Sequence, residues 1–147
     1  MRDLSMLYRE VVLDHSASPR NYGRLDGATH SADGDNPLCG DSIHVELAVD
    51  GDTVTDARFD GVGCAIATAS ASLMTEAVRG KTAAQARALS DEMQETCSGQ
   101  RAGGSAVGDV EMGTLAVFEG VRRYPLRAKC ATLAWRTMRS ALDAQRS

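Results

Sequence analysis

No stretch of this sequence approaches the ~18 consecutive apolar residues that a membrane-spanning helix requires, so a membrane role is not expected. The opening Met1-Arg2-Asp3-Leu4-Ser5 lacks the apolar core of a secretory leader, and the expected location is the cytoplasm. A basic excess is lacking too. A net charge of −4 argues against a general nucleic-acid binder, whose phosphate contacts need positive charge. No Cys-x-x-Cys pair announces a zinc module, and neither an internal repeat nor a domain boundary is visible. Cysteine itself is scarce, at four residues. In a cytoplasmic chain these are expected to be thiols, metal ligands or sulfur carriers rather than disulfides.

What is present is ordinary globular material. The chain has 147 residues, 43% apolar and 24% charged, enough for one hydrophobic core and read as a single domain over 1–147. Leu4, Leu7, Tyr8, Val11 and Val12 repeat at helical spacing, and that helix should stop before Ser18-Pro19. Pro19 to Asp41 reads as a long loop with a short edge strand near Thr29 to Ala32. Ile43, Val45, Leu47 and Val49 alternate with polar or small residues, which predicts a half-buried strand. Asp50-Gly51 predicts a hairpin turn, with Thr53 to Asp60 returning and Gly61-Val62-Gly63 breaking the strand.

Helices follow. Ala65 to Arg79 reads as a helix with Ile66, Ala69, Leu73 and Ala77 on one face and Gly80 as its stop. Thr82 and Gln85 form a capping box for a helix containing Leu89 and Met93. After a loop at Ser98 to Ser105, Asp109 caps a short helix ending at Gly120, and Ala128 to Gln145 forms the last helix, with Leu133, Trp135 and Met138 packing inward. Antiparallel strands followed by helices predict an α+β fold, a small antiparallel sheet packed against helices.

Cys39 and Asp41 stand two residues apart on entering a strand, so their side chains point to the same side. The hairpin returns the chain toward Cys64 at the start of a helix, whose free N–H groups favour a thiolate. Cys130, at the start of the last helix, joins them and gains the same help if that end docks at the hairpin. Three thiolates and one carboxylate make the usual tetrahedral set for zinc. Around a divalent ion they leave two net negative charges, which Arg127 and Lys129, close before Cys130, can compensate. Four unrelated buried cysteines would give the same spacing. The polar, glycine-rich setting of Cys39 and Cys64 favours the metal. Cys97, at a helix end, is read as structural or an incidental surface thiol. His15 has a helix-end structural role, His44 lies on the polar face of its strand, and His30 is undetermined.

The segments Leu7-Tyr8-Arg9, Asp14-His15, Ser18-Pro19-Arg20-Asn21, Asn36-Pro37-Leu38-Cys39-Gly40-Asp41, Gly61-Val62-Gly63-Cys64-Ala65 through Ser72, and Tyr124-Pro125-Leu126-Arg127-Ala128-Lys129-Cys130-Ala131-Thr132-Leu133 cover most of the chain. They resemble the SufU branch of the U-type iron–sulfur cluster assembly proteins, the NifU/IscU-like N-terminal domain family. The resemblance implies a SufE/NifU-like fold and zinc held by Cys39, Asp41, Cys64 and Cys130. It implies a partner, the pyridoxal-phosphate-dependent cysteine desulfurase of the SUF system. A histidine of that desulfurase would take over a zinc position and free Cys39 to accept persulfide sulfur, with Arg127 beside the site. The chain would then be co-substrate and activator of the desulfurase, feeding downstream iron–sulfur assembly proteins. The alternative is a scaffold carrying a transient iron–sulfur cluster. IscU-type scaffolds have histidine where this chain has Lys129 and lack much of the segment from about Gly80 to Asp109. Both departures favour sulfur transfer.

Overall fold

The computed structural model describes residues 4–37, 40–98 and 125–143. Cys39 and the short helix expected between Asp109 and Gly120 lie outside the described residues. The first helix, α1 (Leu4–Ala17), ends directly before Ser18-Pro19, as the proline requires. Strands β1 (His30–Asn36), β2 (Asp41–Asp50) and β3 (Thr53–Val62) form an antiparallel sheet in the order β1-β2-β3. Helices α2 (Ala65–Val78), α3 (Ala83–Ser98) and α4 (Pro125–Asp143) follow. The expected α+β class is what the chain adopts.

The alternation in β2 is realised: Ile43, Val45 and Leu47 are buried, joined on the same face by Val54, Ala57 and Phe59 of β3. Helix α4 covers β1 and β2, and α2 lies against β3 and α4. Helices α1 and α3 pack outside, on α2 and α4 respectively. Leu133, Trp135 and Met138 are buried as expected. Enclosing a side chain the size of Trp135 removes about 200 Å² from water and contributes roughly 5 kcal/mol of transfer free energy. Its indole N–H donates to Ser70 Oγ at 3.1 Å, and Ser70 in turn donates to the Ala131 carbonyl, so one hydroxyl links α2 to α4. The capping box closes as predicted: Thr82 N–H donates to Gln85 Oε1 at 3.0 Å and Gln85 N–H to Thr82 Oγ1 at 3.1 Å. Among the described residues no helix is long and apolar enough to cross a membrane.

Four expectations need correction. The edge strand is longer than Thr29 to Ala32, because all of His30–Asn36 pairs with β2. Backbone pairing and the approach of α4 override poor strand propensity there: a Cβ at Gly34 would run into the Thr137 side chain and stand 3.3 Å from Leu133 Cδ1. Gly61 does not break β3, which continues to Val62. Its φ of 140° and the Ser42 backbone pressed against it admit only glycine. Helix α2 is buried on nearly all sides through its own small residues, such as Ala67, Ser70, Ala71 and Ser72, while Ile66 and Ala77, on the face expected to pack, are half-buried. Helix α4 begins at Pro125 rather than Ala128, a first-turn position where proline loses nothing. Cys130 therefore lies in its second turn, past the free N–H groups expected to favour its thiolate.

Candidate metal centre

The sheet register assembles the site. Asn36 pairs with Asp41 and Ser42 with Val62, so the end of β1, the start of β2 and the end of β3 meet at one edge of the sheet. Gly63 then turns the chain into α2, where a side chain would come within 3.2 Å of both Asp41 Oδ1 and Ala67 Cβ. Cys64 is the N-cap of α2, with its sulfur accepting from Ala67 N–H at 3.4 Å. Its own N–H donates to Asp41 Oδ1 at 2.9 Å. The expected meeting of positions 41 and 64 through the hairpin is thus realised. Upstream, the Tyr22 hydroxyl donates to the Gly61 carbonyl at 3.1 Å and its ring stands edge-on to Phe59, bracing the end of β3.

From the other layer α4 brings Cys130, 3% exposed, with Asn36 Nδ2 3.9 Å from its sulfur. One donor atom each from Asp41, Cys64 and Cys130 lies within 4.8 Å of the others, about twice a zinc–thiolate bond of roughly 2.3 Å. Asp41 is 2% exposed and its Oδ2 has no hydrogen-bond partner. A buried carboxylate oxygen without a partner is costly, and a cation shared with two sulfurs satisfies it. The donor set of two sulfurs and one oxygen suits zinc, with a fourth position to be filled.

The remaining predicted residues divide clearly. Cys39, the expected fourth ligand, lies outside the described residues. Arg127 and Lys129 are exposed on the first turns of α4, both just before Cys130 in sequence. Cys97 is buried away from the cluster, and burial pushes its thiol up to about 12, which makes it inert at neutral pH. None of Cys64, Cys97 and Cys130 is in a disulfide. His15 is buried at the end of α1, with Nδ1 2.7 Å from Ser72 Oγ. His44 lies on the outer face of β2, with Nδ1 2.7 Å from Asp33 Oδ1 and Nε2 3.3 Å from Glu46 Oε2, the latter out of line for a hydrogen bond. Neither joins the cluster, as expected. His30 pairs with Thr29. Asn36 was not expected at the site; only the β1–β2 register, which its sequence does not announce, brings it there.

The chain matches the family described as NifU-like N terminal domain over residues 7–131. It is 40% identical to a "Zinc-dependent sulfurtransferase SufU" of Bacillus subtilis, covering 92% of this chain and 89% of that protein. It is 41% identical to an "Iron-sulfur cluster assembly scaffold protein IscU" of Streptococcus pyogenes, covering 95% and 84%. Among solved structures, a putative iron–sulfur cluster assembly scaffold protein for the SUF system from Fervidobacterium islandicum superposes with a TM-score of 0.81 at 32% identity, over 93% of this chain and 97% of that one. Residue pattern, fold and similarity agree: the chain belongs to the NifU-like N-terminal domain family of iron–sulfur cluster assembly proteins, of the SufU and IscU type.

Proposed function

We propose that this protein is a zinc-dependent sulfur acceptor that takes persulfide sulfur from a SUF-system cysteine desulfurase in the cytoplasm, with Cys39, Asp41, Cys64 and Cys130 as the zinc ligands. The observation that carries the reading is Asp41 Oδ2, buried without a partner beside the sulfurs of Cys64 and Cys130. Bound zinc supplies positive charge that keeps the cysteines as thiolates and holds Cys39 in place. Three of the four proposed ligands come from fixed elements: Asp41 from β2, Cys64 from the cap of α2, Cys130 from α4. Cys39, two residues before Asp41 in sequence, is the ligand that comes off.

The freed Cys39 thiolate attacks the terminal sulfur of the desulfurase persulfide. An S–S bond forms on Cys39 as the donor's S–S bond breaks, and the donor cysteine leaves as a thiolate. Arg127, three residues before Cys130, offsets negative charge during the exchange. Exposed Val62, two residues before Cys64, and Leu126, four before Cys130, supply apolar surface for the partner. Resemblance to the Bacillus subtilis sulfurtransferase and Lys129 beside Cys130, a protonated ammonium unable to bind metal, support transfer.

Incubation with desulfurase and cysteine, followed by peptide mass analysis, tests this. One sulfur atom is expected on the Cys39 peptide, and Cys39→Ala should lose both that sulfur and all stimulation of the desulfurase. Full stimulation by Cys39→Ala would overturn the proposal. Similarity to proteins named as scaffolds favours a second reading, a site on which a cluster is assembled and handed on. Anaerobic reconstitution separates the two: a stable, transferable cluster that forms by displacing zinc from the untreated protein would favour the scaffold, whereas one that forms only after zinc has been stripped would favour sulfur transfer.

A further inference from the structure

Asn36 ends β1 with its side chain inside the protein, 5% exposed, a burial that a carboxamide tolerates only with hydrogen-bond partners. Its Nδ2 points at Cys130 Sγ, 3.9 Å away, at the long end for an N–H to sulfur contact. The backbone of Asn36 is fixed from two directions. The β1–β2 ladder sets it opposite Asp41, and two residues earlier Gly34 lets α4 close onto the strand at Leu133 and Thr137. One side chain thus spans the two layers of the fold, from the strand paired with the carboxylate ligand to the sulfur on α4.

We infer that Asn36 is a positioning residue of the metal centre, donating a side-chain N–H to the Cys130 thiolate and tying the α4 ligand to the β2 ligand. The inference rests on the proposed metal site. Three thiolates and a carboxylate leave the centre with excess negative charge, and an N–H donor draws charge from the sulfur that receives it. Cys130 then becomes the electron-poor, firmly held thiolate. The donor set outside the first ring of ligands commonly governs metal affinity in this way.

Cobalt(II) substitution reads this directly through the thiolate-to-cobalt charge-transfer band. Asn36→Leu removes the donor at similar volume; the band is expected to move to lower energy, and a chelator should extract the metal about 10- to 100-fold more readily. An unshifted band with unchanged metal affinity overturns the role of Asn36 while leaving the site intact. Absence of any thiolate-to-cobalt band in the unmutated protein sinks the site and this inference together. Should Asn36→Leu fail to fold, the unmutated protein loaded with an NMR-active cadmium isotope decides. A scalar correlation from the metal to the Asn36 side-chain amide protons is expected. Its absence in a spectrum that resolves the cysteine Hβ correlations overturns the proposal.

Discussion

At the scale of single residues, Asp41 divides its two oxygens between tasks. Oδ1 fixes the Cys64 amide, and Oδ2 is buried without a partner, the oxygen that the proposed function gives to the cation. Asp41→Asn keeps the shape and removes the charge, so zinc affinity is expected to fall about 10-fold with the fold retained. Chelator competition and circular dichroism check both halves, and unchanged affinity would speak against Asp41 as a ligand. The histidines carry opposite signs. Burial, then the Arg20 charge, holds the His15 imidazole below its ordinary value. At His44 burial pushes the same way, but the Asp33 hydrogen bond and the Glu46 carboxylate outweigh it and raise the value. The His15 contribution to stability is therefore present above about pH 6.5 and lost as pH falls through its depressed folded value. The His44 contribution is complete below about pH 6.5 and lost as pH rises through its raised folded value. NMR titration, assigned with His15→Gln and His44→Gln, should place the two midpoints on opposite sides of the free imidazole; coincident midpoints would contradict the environments described. That His15 and His44 stand outside the Asp41, Cys64 and Cys130 cluster was legible from helix-end and strand-face position. The part played by Asn36 was not, because it depends on register across two strands.

At the scale of elements, alternation in β2, the hairpin turn and the capping box could all be read along the chain, since each is written in neighbouring residues. Strand β1 could not: Asp33, Gly34 and Asp35 carry no apolar period, and only pairing with β2 makes them a strand. Pro125 likewise hid the true start of α4, although proline suits a first turn. The enclosure of α2 escaped notice because alanine and serine give no one-sided pattern. Gly34 is where two of these elements meet. Gly34→Ala sets a methyl against Thr137 and Leu133 and is expected to cost about 1–3 kcal/mol, read from the midpoint of urea unfolding. An unchanged midpoint would show that α4 and β1 can separate freely.

At the scale of the whole molecule, the proposed ligands come from both layers, the sheet through Asp41 and the helices through Cys64 and Cys130. Binding a metal there couples the layers, so metal affinity adds to folding stability. Zinc should be released as pH falls, because thiolates must be deprotonated to bind, and chelation should lower the thermal midpoint. Retention of zinc well into the acidic range would argue against a thiolate site. The most direct test of the whole account is zinc-edge X-ray absorption of the purified, zinc-loaded protein. Three sulfur scatterers at about 2.3 Å and one oxygen at about 2.0 Å are predicted; a zinc shell dominated by nitrogen or oxygen would contradict it.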